Sequence, residues 1–305
     1  MISLKQITYA LAVEQERHFK RAADNCNVSQ SALSTAISEM ESQLGIMLFE
    51  RDNKKVLVTP LGEQVLAKAR EIKLQVDDLH NLSISLKDPL SFPLTIGVIP
   101  TIGPFLLPRV LPKIRKSFPK LELKLVEATS DELIDSVRTG SIDTAILALP
   151  YAHDGLHAFS FWEENFYLVA HKSSDYAQKY PDGKAIGSSQ INSNDLLLLQ
   201  EGHCLKDHIL DACKIKSGES KSLEDSATLA GTSLYTLVQM VAGNLGVTLV
   251  PEMAIKQMSK ESRDLRFIPL RDKGPHRKIA FITRLNYSGV SGIEALIDLF
   301  KQQLA

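Results

Sequence analysis

Two cysteines lie nine residues apart in the segment EGHCLKDHILDAC, which covers residues 201–213. Cys204 follows His203 at the start of a predicted helix, and Lys206 comes two positions later. Backbone N–H groups at a helix start and a nearby cation both favour the thiolate, which is the reactive form of cysteine. A partly exposed thiolate can be oxidised to a sulfenic acid and then captured by a second thiol. The segment therefore indicates redox chemistry.

A disulfide within this segment requires a change of conformation. If residues 204–213 are helical, the Cα atoms of Cys204 and Cys213 are ~13 Å apart, at ~1.5 Å per residue. A disulfide requires Cα atoms roughly 4.4–6.8 Å apart. Bonding the pair would force the segment to unwind or fold back, so oxidation would alter the local structure.

Two other roles for these side chains stay open. Cysteine is among the most buried residue types, so both thiols can simply be part of a core. His203, Cys204, His208 and Cys213 are also candidate metal ligands, but the segment has neither a CxxC motif nor a paired-ligand spacing. We therefore expect no metal and no cofactor. The third cysteine, Cys26, is expected to pack in the core of a helical turn.

Residues 18–62 contain two helical patterns joined by a tight turn and followed by a hairpin. Ser29 is a good N-cap for the second helix. Apolar residues recur along that helix at a spacing that turns them towards a core: Leu33, Ile37, Met40 and Leu44. The opposite face is small and polar, and such a face can enter a major groove. The pattern predicts a winged helix-turn-helix domain over residues 1–60 that binds double-stranded DNA.

The candidate DNA contacts form two groups. Hydrogen-bonding residues lie at the start and on the exposed face of the second helix: Ser29, Gln30, Ser31, Ser34, Thr35 and Ser38. Two basic clusters flank the helix and can attract phosphates: Arg17, Lys20 and Arg21, and Arg51, Lys54 and Lys55. These clusters matter because the whole chain has a formal net charge of −1 and is not a bulk polyanion binder. A small helical subdomain with a solvated polar face is the alternative.

Residues 60–88 predict a long dimerisation helix. Its apolar residues recur at heptad spacing: Val65, Ile72, Val76, Leu79 and Leu86. A lone helix of about 27 residues, roughly 40 Å long at ~1.5 Å per residue, needs a partner for such a seam. A second copy of the chain is the simplest partner, and it would also pair two DNA-binding domains for palindromic half-sites.

Residues 89–305 alternate predicted strands and helices, which is typical of an α/β domain. The predicted strands lie at 94–99, 121–127, 144–149, 166–170, 195–199, 246–250, 265–269 and 278–283. The predicted helices lie at 104–117, 130–139, 205–213, 233–242 and 292–303. We expect parallel sheets in two lobes, with Ser130 as a helix cap. Because ligand sites lie beyond the carboxyl ends of parallel strands, Thr101, Ser130 and residues 201–204 can share one crevice.

Composition limits the class of protein. The 305 residues are 44% apolar, which suits two or three domains with real cores. We expect no leader peptide, and the apolar run near 92–108 contains four prolines, so it cannot be a membrane helix. Three cysteines without secretion signals predict a cytoplasmic protein with no membrane partner.

Three short motifs resemble LysR-type transcriptional regulators: SQSALS in the second helix, LFER after it, and VTPLGE at the start of the linker helix. The resemblance extends over the whole chain. It implies two Rossmann-like lobes similar to periplasmic binding proteins, with lobe I at about 89–163 and 268–305 and lobe II at about 164–267. The segments EGHCLKDHILDAC, IPTIGPFLLP and ILAL resemble the peroxide-sensing branch of that family.

That branch implies a role for individual residues. Cys204 matches a peroxidatic cysteine and Cys213 a resolving cysteine, which together form a reversible disulfide. The implied peroxide pocket contains Thr101, Ser130, Gly202, His203, Lys206 and Asp207. Lys206 stands where Arg is usual and lacks its bidentate fork, and Ser130 stands where Thr is usual.

The resemblance also implies what the protein does. We expect a transcriptional regulator, not a turnover enzyme, that senses hydrogen peroxide and controls oxidative-stress genes. The implied partners are promoter operators, further copies in a homodimer or homotetramer, RNA polymerase, and reductants of the thioredoxin or glutaredoxin type. Two alternatives remain: a LysR-type regulator that binds a small anion or metabolite between the lobes, and a thiol peroxidase.

Overall fold

The computed structural model describes residues 1–52, 55–85, 90–200, 202–215, 233–261 and 263–304. The chain divides into two compact units, Met1–Ile84 and Ser85–Ala305. Among the described residues, no helix is long and apolar enough to cross a membrane.

The first unit is a winged helix-turn-helix followed by a long helix. Its elements are α1 (Leu4–Glu16), α2 (Phe19–Asn25), α3 (Gln30–Leu44), β1 (Phe49–Asp52), β2 (Lys55–Val58) and α4 (Pro60–Ser85). The two strands pair antiparallel, with Phe49 opposite Val58. Helix α1 was not predicted; it begins at a capping box formed by Ser3 and Gln6.

One apolar core joins these elements. Leu33, Ile37 and Met40 are buried in it as the spacing predicts, and Leu44 packs against its edge. The buried carboxylate of Glu41 accepts hydrogen bonds from the backbone N–H groups of Leu48, at 2.7 Å, and of Phe49, at 3.2 Å. Because a buried carboxylate must be hydrogen-bonded, Glu41 ties the end of α3 to the start of the wing.

The second unit contains the remaining strands and helices. Its strands are β3 (Leu94–Val98), β4 (Leu123–Glu127), β5 (Thr144–Leu149), β6 (Leu156–Glu164), β7 (Phe166–His171), β8 (Thr248–Pro251), β9 (Leu265–Pro269) and β10 (Arg277–Arg284). Its helices are α5 (Gly103–Ser117), α6 (Ser130–Thr139), α7 (Asp175–Lys179), α8 (Cys204–Ala212), α9 (Leu234–Ala242), α10 (Glu252–Glu261) and α11 (Val290–Leu304).

The strands form two sheets, which makes this unit two-lobed. Lobe I contains a five-stranded sheet in the order β4-β3-β5-β10-β6, and lobe II contains a three-stranded sheet in the order β8-β7-β9. The chain passes from lobe I to lobe II between Glu164 and Phe166, and it returns between Pro269 and Arg277. Each lobe has its own apolar core.

Parallel pairing is more limited than the alternation of elements predicts. β3 runs parallel to β4 and β5, whereas β10 runs antiparallel to β5 and β6. The lobe II sheet is antiparallel throughout. The expectation of wholly parallel sheets is therefore wrong, because strands that follow a crossing between lobes enter their sheet from the opposite end.

Residues 195–199 do not form the predicted strand. Ser193–Asp195 is a 3-10 turn whose start is capped by the Asn192 side chain, and Leu196 makes only an isolated bridge to Val247. The capped turn takes up Asp195, the first residue of the predicted strand. Among the described residues, the strand β6 and the helices α7 and α10 were not predicted; the other predicted strands and helices of this unit are present with small changes of boundary.

Candidate redox site

Cys204 and Cys213 lie at the two ends of one helix. Cys204 is the first residue of α8, after the N-cap His203, and Cys213 is the C-cap. The helix confirms the predicted separation, because nine helical steps of ~1.5 Å place the two Cα atoms ~13 Å apart. All three cysteines lie within the described residues, and each is a free thiol.

The two thiols are buried in different cores. Cys204 is 2% exposed and belongs to the core of lobe I, whereas Cys213 is 7% exposed and belongs to the core of lobe II. Leu205 and Ile209 of the same helix also pack in the lobe II core. α8 therefore joins the two lobes, and a disulfide between its ends would have to move at least one thiol out of its core.

The surroundings of Cys204 keep its sulfur protonated. Burial raises the pKa of Cys204, while the Ser130 hydroxyl, the positive charge of Arg277 and the backbone of Ala148 act in the opposite direction. The net pKa is above that of an ordinary cysteine. The expectation of a partly exposed resting thiolate is therefore wrong, since desolvation outweighs the favourable contacts.

Ser130 faces Cys204 from lobe I. Its Oγ is buried and reaches no hydrogen-bond partner within ordinary limits among the described residues, but it lies close enough to Cys204 to favour the thiolate. Its backbone N–H donates to the Gly202 carbonyl at 3.2 Å. The prediction that Ser130 caps α6 is wrong, because Thr129 is the N-cap and forms a capping box with Glu132. The Ser130 hydroxyl is thus left available to the pocket.

Arg277 is the buried cation of the site, and it was not among the predicted site residues. Its Nε donates to Glu164 Oε1 at 2.7 Å, and its Nη1 and Nη2 donate to the hydroxyl and carbonyl of Thr101 at 3.3 and 3.2 Å. The second carboxylate oxygen of Glu164 accepts from the Met253 N–H at 2.8 Å. A sequence signal existed: Arg277 opens the strand RKIAFITR before its apolar run, and Glu164 ends β6, both beside the crossings between lobes.

The other predicted pocket residues lie around the start of α8. Thr101 is buried and holds Arg277, and Gly202 adopts a φ of +86°, which favours glycine. His203 is half-buried, and burial lowers its pKa. In the first turn of α8, Lys206 is half-buried and Asp207 is exposed. Arg277, not Lys206, supplies the charge that lowers the pKa of Cys204.

A cavity of about 700 Å³ lies beside α8. Four carboxylates face it, together with one cation and a tyrosine; its lining consists of Asp131, Ile134, Asp135, Arg138, Pro150, Tyr151, Ala152, Asp207 and Asp211. The Tyr151 hydroxyl donates to Asp131, and its pKa is raised, first by burial and then by this bond. The cavity therefore has an acidic lining that disfavours anions. Among the described residues, no group of three or more His, Cys, Asp or Glu is arranged to hold a metal ion.

The polar face of α3 is exposed in the first unit. Ser29 Oγ accepts from the Ala32 N–H at 3.2 Å, as expected of an N-cap. Ser29, Gln30, Ser31, Thr35 and Ser38 are exposed, and Ser34 is half-buried. This face is therefore open to a ligand along its length.

The basic clusters beside α3 are only partly described. Arg17, Lys20 and Arg21 are exposed, and Arg21 forms an ion pair with Glu16 at 3.7 Å. The backbone of Arg51 and Lys55 lies in β1 and β2, and Lys54 lies outside the described residues. Arg17 and Lys20 therefore provide most of the positive charge of the N-terminal cluster, because Glu16 offsets part of the Arg21 charge.

The apolar seam of α4 begins later than predicted. Leu66 and Ala69 are buried in the winged-helix core, and Val65 packs against that core, so Val65 is not part of a free seam. Further along, Ile72 and Leu79 are exposed and Val76 is half-buried. Leu82 is exposed too and was missed, whereas Leu86 lies outside the described residues.

A winged helix-turn-helix joined to a two-lobed α/β unit defines a class of transcriptional regulators. Residues 4–63 match the bacterial regulatory helix-turn-helix domain of the lysR family, and residues 87–305 match the LysR substrate binding domain. The second match alone covers more than half of the chain. The chain belongs to the LysR family.

Similar proteins within the family are named as transcriptional regulators. The HTH-type transcriptional regulator EstR of Acinetobacter baylyi is 39% identical over 98% of this chain and 96% of its own. The transcriptional dual regulator OxyR of Escherichia coli K12 is 34% identical over 99% of this chain and 96% of its own.

Solved structures of OxyR proteins are similar over the whole length. A full-length OxyR variant of Pseudomonas aeruginosa superimposes with a TM-score of 0.81 and 31% identity, covering 99% of this chain and 95% of that one. A hydrogen peroxide-bound OxyR mutant of Corynebacterium glutamicum gives a TM-score of 0.65 and 29% identity, covering 100% and 93%.

Proposed function

We propose that this LysR-family protein senses hydrogen peroxide through a reversible disulfide between Cys204 and Cys213 and thereby controls transcription of oxidative-stress genes. The observation that carries the proposal is the placement of two free thiols at opposite ends of one helix and in two different cores. Relatives named as hydrogen peroxide-inducible genes activators support it, with 34% identity over 93% of this chain in the Haemophilus influenzae protein.

The pocket offers contacts that suit a small peroxide. The Ser130 hydroxyl, which has no conventional partner among the described residues, and the Thr101 hydroxyl can hydrogen-bond to it. Arg277 can stabilise the negative charge that develops as the O–O bond breaks. Half-buried His203 at the N-cap completes the proposed pocket, with Gly202, Lys206 and Asp207 at its edge. The contribution of Arg277 is electrostatic, because its guanidinium offers N–H donors and no acceptor.

The proposed reaction has two balanced steps. Cys204 gives up its proton and its sulfur attacks one peroxide oxygen; an S–O bond forms, the O–O bond breaks, and the second oxygen leaves as water. Cys213 then gives up its proton and attacks the Cys204 sulfur; an S–S bond forms and the hydroxyl leaves as water. Because both pKa values are raised, each attack must include loss of the thiol proton.

The second step, formation of the disulfide, requires a change of structure that can transmit the signal. Cα atoms ~13 Å apart must approach to roughly 4.4–6.8 Å, so α8 has to unwind. Unwinding withdraws Leu205, Ile209 or a thiol from an apolar core, which changes the packing between the lobes. We propose that this change alters how a homodimer or homotetramer binds its promoter operators and contacts RNA polymerase.

Two surfaces of the first unit, the polar face of α3 and the apolar seam of α4, also have proposed roles. The polar face of α3 with Arg17, Lys20 and Arg21 would bind duplex DNA. The exposed side chains of Ile72 and Leu79, together with half-buried Val76, would form the seam between two copies. A DNA-binding regulator acts beside the chromosome, so the proposal places the protein in the cytoplasm. Thioredoxin or glutaredoxin systems would reduce the disulfide, with no continuous turnover.

The test compares three serine variants of the full-length protein. After peroxide treatment, the wild type should lose the mass of two hydrogen atoms, link residues 204 and 213, and change the length of its footprint on a promoter fragment. Cys204→Ser and Cys213→Ser should still bind DNA without changing the footprint. Cys26→Ser, which alters the one thiol outside the lobes, is the control and should behave as the wild type.

Two outcomes would contradict the proposal. A Cys204→Ser variant that still changed its footprint with peroxide would remove the sensing assignment. If the wild type formed the disulfide and its footprint did not change, the disulfide would not transmit a signal to the DNA-binding domain.

A small-molecule inducer is the second candidate, and the cavity of about 700 Å³ beside α8 is the observation in its favour. Four aspartates line it against one arginine, so a cationic or neutral ligand fits better than the anion that the sequence analysis considered. Calorimetry with candidate ligands on the Cys204→Ser variant would reveal such binding independently of redox chemistry.

A further inference from the structure

His208 connects the middle of α8 to lobe I. It lies four residues after Cys204 and five before Cys213, and its side chain is buried. Its Nε2 lies 2.8 Å from the carbonyl oxygen of Pro150, which follows β5. This bond is a polar contact between the helix that carries both thiols and the lobe that holds Cys204.

The hydrogen bond fixes the protonation state of the ring. A carbonyl oxygen only accepts, so Nε2 must carry the proton and donate it. In the neutral ring Nδ1 then has no proton, and it is buried without a partner in the part of the chain that the structure describes. Placing a second proton on Nδ1 would create a buried cation, which is costly.

The neighbouring charges act in both directions. Burial comes first in lowering the pKa of His208 to about 4; the Pro150 carbonyl raises the pKa, the positive charge of Arg277 on β10 lowers it, and Asp211 on α8 raises it. Beyond Pro150, Asp131 of α6 and Asp207 of α8 line the adjoining cavity, where Tyr151 donates to Asp131. Carboxylates are therefore close by, but burial keeps the ring neutral.

We propose that His208 is a positioning residue that holds α8 helical while the thiols are reduced, and that its ring takes up one proton when the disulfide forms. This inference rests on the proposed redox function. The disulfide requires the helix between its two ends to unwind, and His208 sits in that stretch. When this stretch of α8 unwinds, the His208 ring loses its hydrogen bond to Pro150 and becomes exposed to water or to the acidic cavity.

The proton balance gives this step a measurable signature. Two thiols and one hydrogen peroxide give one disulfide and two waters, with no net proton. A ring released to solvent returns to a pKa of about 6.5, so at about pH 5.5 it binds ~0.9 proton that the buried ring did not hold. Because the pKa is higher in the disulfide form, acid favours that form, by up to tenfold per pH unit between about 4 and 6.5.

The experiment counts protons. Reduced full-length protein is oxidised with equimolar peroxide in weakly buffered solution at about pH 5.5, with an indicator dye to follow proton uptake and mass spectrometry to follow the disulfide. The wild type should take up ~0.9 proton per chain. His208→Gln should form the disulfide without uptake, because its amide can donate to Pro150 but does not titrate. His157→Gln alters an exposed histidine of β6 and should match the wild type.

A second variant tests the positioning role by rate. His208→Ala removes the donor to Pro150, and it should form the disulfide about fivefold faster than His208→Gln, the factor expected for one ordinary hydrogen bond. Equal rates would overturn the positioning role, and a wild-type disulfide formed without proton uptake would overturn the coupling; both results leave the proposed function standing. Absence of the disulfide in every variant would instead overturn the proposed function itself.

Discussion

Glu164 and Arg277 form an ion pair at 2.7 Å in which the two side chains are 1% and 0% exposed. The pair lies where the chain leaves lobe I and where it returns, and it also anchors Thr101 and the Met253 N–H. A buried charge without its partner is far more costly than a buried pair. The arrangement therefore holds the cation of the candidate redox site in place.

Removing the carboxylate of this pair should destabilise the protein strongly. Glu164→Gln leaves the Arg277 charge buried with a neutral partner, and we expect a loss of about 3–5 kcal/mol in the free energy of unfolding. Urea denaturation measures it. Glu163→Gln is the matched control, because Glu163 pairs with Lys278 at 2.9 Å on the surface, where such a pair contributes about 0–1 kcal/mol. Equal losses in the two variants would refute the special role of the buried pair.

Ser130→Ala should slow the reaction of Cys204 without harming the fold. The hydroxyl helps to lower the pKa of Cys204, so its removal should raise that pKa further and reduce the thiolate fraction at neutral pH. Because the hydroxyl has no conventional partner among the described residues, its loss should leave the unfolding free energy nearly unchanged. Stopped-flow alkylation of Cys204 against pH measures the effect, with Ser136→Ala on the same helix as control. A faster reaction in Ser130→Ala would contradict the assignment.

Cys213 should make the protein lose stability in alkali. Burial first, and then the negative charge of Asp272, raise the pKa of Cys213 to about 11. Since the folded pKa lies above the unfolded value of about 8.5, stability is constant below that pH and falls as the pH rises towards 11, by about 3 kcal/mol in all. Urea titrations of the wild type and Cys213→Ser from neutral pH upward should therefore diverge, with the variant flatter. Parallel curves would show that the buried thiol does not titrate in this way.

Leu79 should be required for self-association but not for folding. It is 70% exposed on α4, so Leu79→Glu costs the isolated chain little, whereas burying the charge in a seam between two copies is unfavourable. Losing one buried leucine per chain, at about 1.5–3 kcal/mol, should weaken the dimer at least tenfold. Sedimentation equilibrium measures this. Ala67→Glu adds the same charge at an exposed position of α4 that points away from Ile72 and Leu79, so it should leave association unchanged, and equal weakening by both variants would argue for a general charge effect.

Local patterns in the sequence determined much of this protein. Ser29 defines the start of α3 because its side chain can cap only the residues that follow it, and the apolar spacing of Leu33, Ile37 and Met40 predicted their burial. The bounds of α8, and with them the separation of Cys204 and Cys213, also followed from neighbouring residues. Capping and helical periodicity act over a few residues, so the chain order alone contains them.

Only the tertiary structure decided the electrostatics of the site. Nothing near Cys204 in the sequence shows that lobe I buries its sulfur, that Arg277 supplies its cation, or that His208 donates to Pro150. These contacts join residues from distant parts of the chain, and pKa values depend on desolvation and charge in three dimensions. The same holds for the antiparallel return of β10, which depends on the end from which the chain re-enters its sheet.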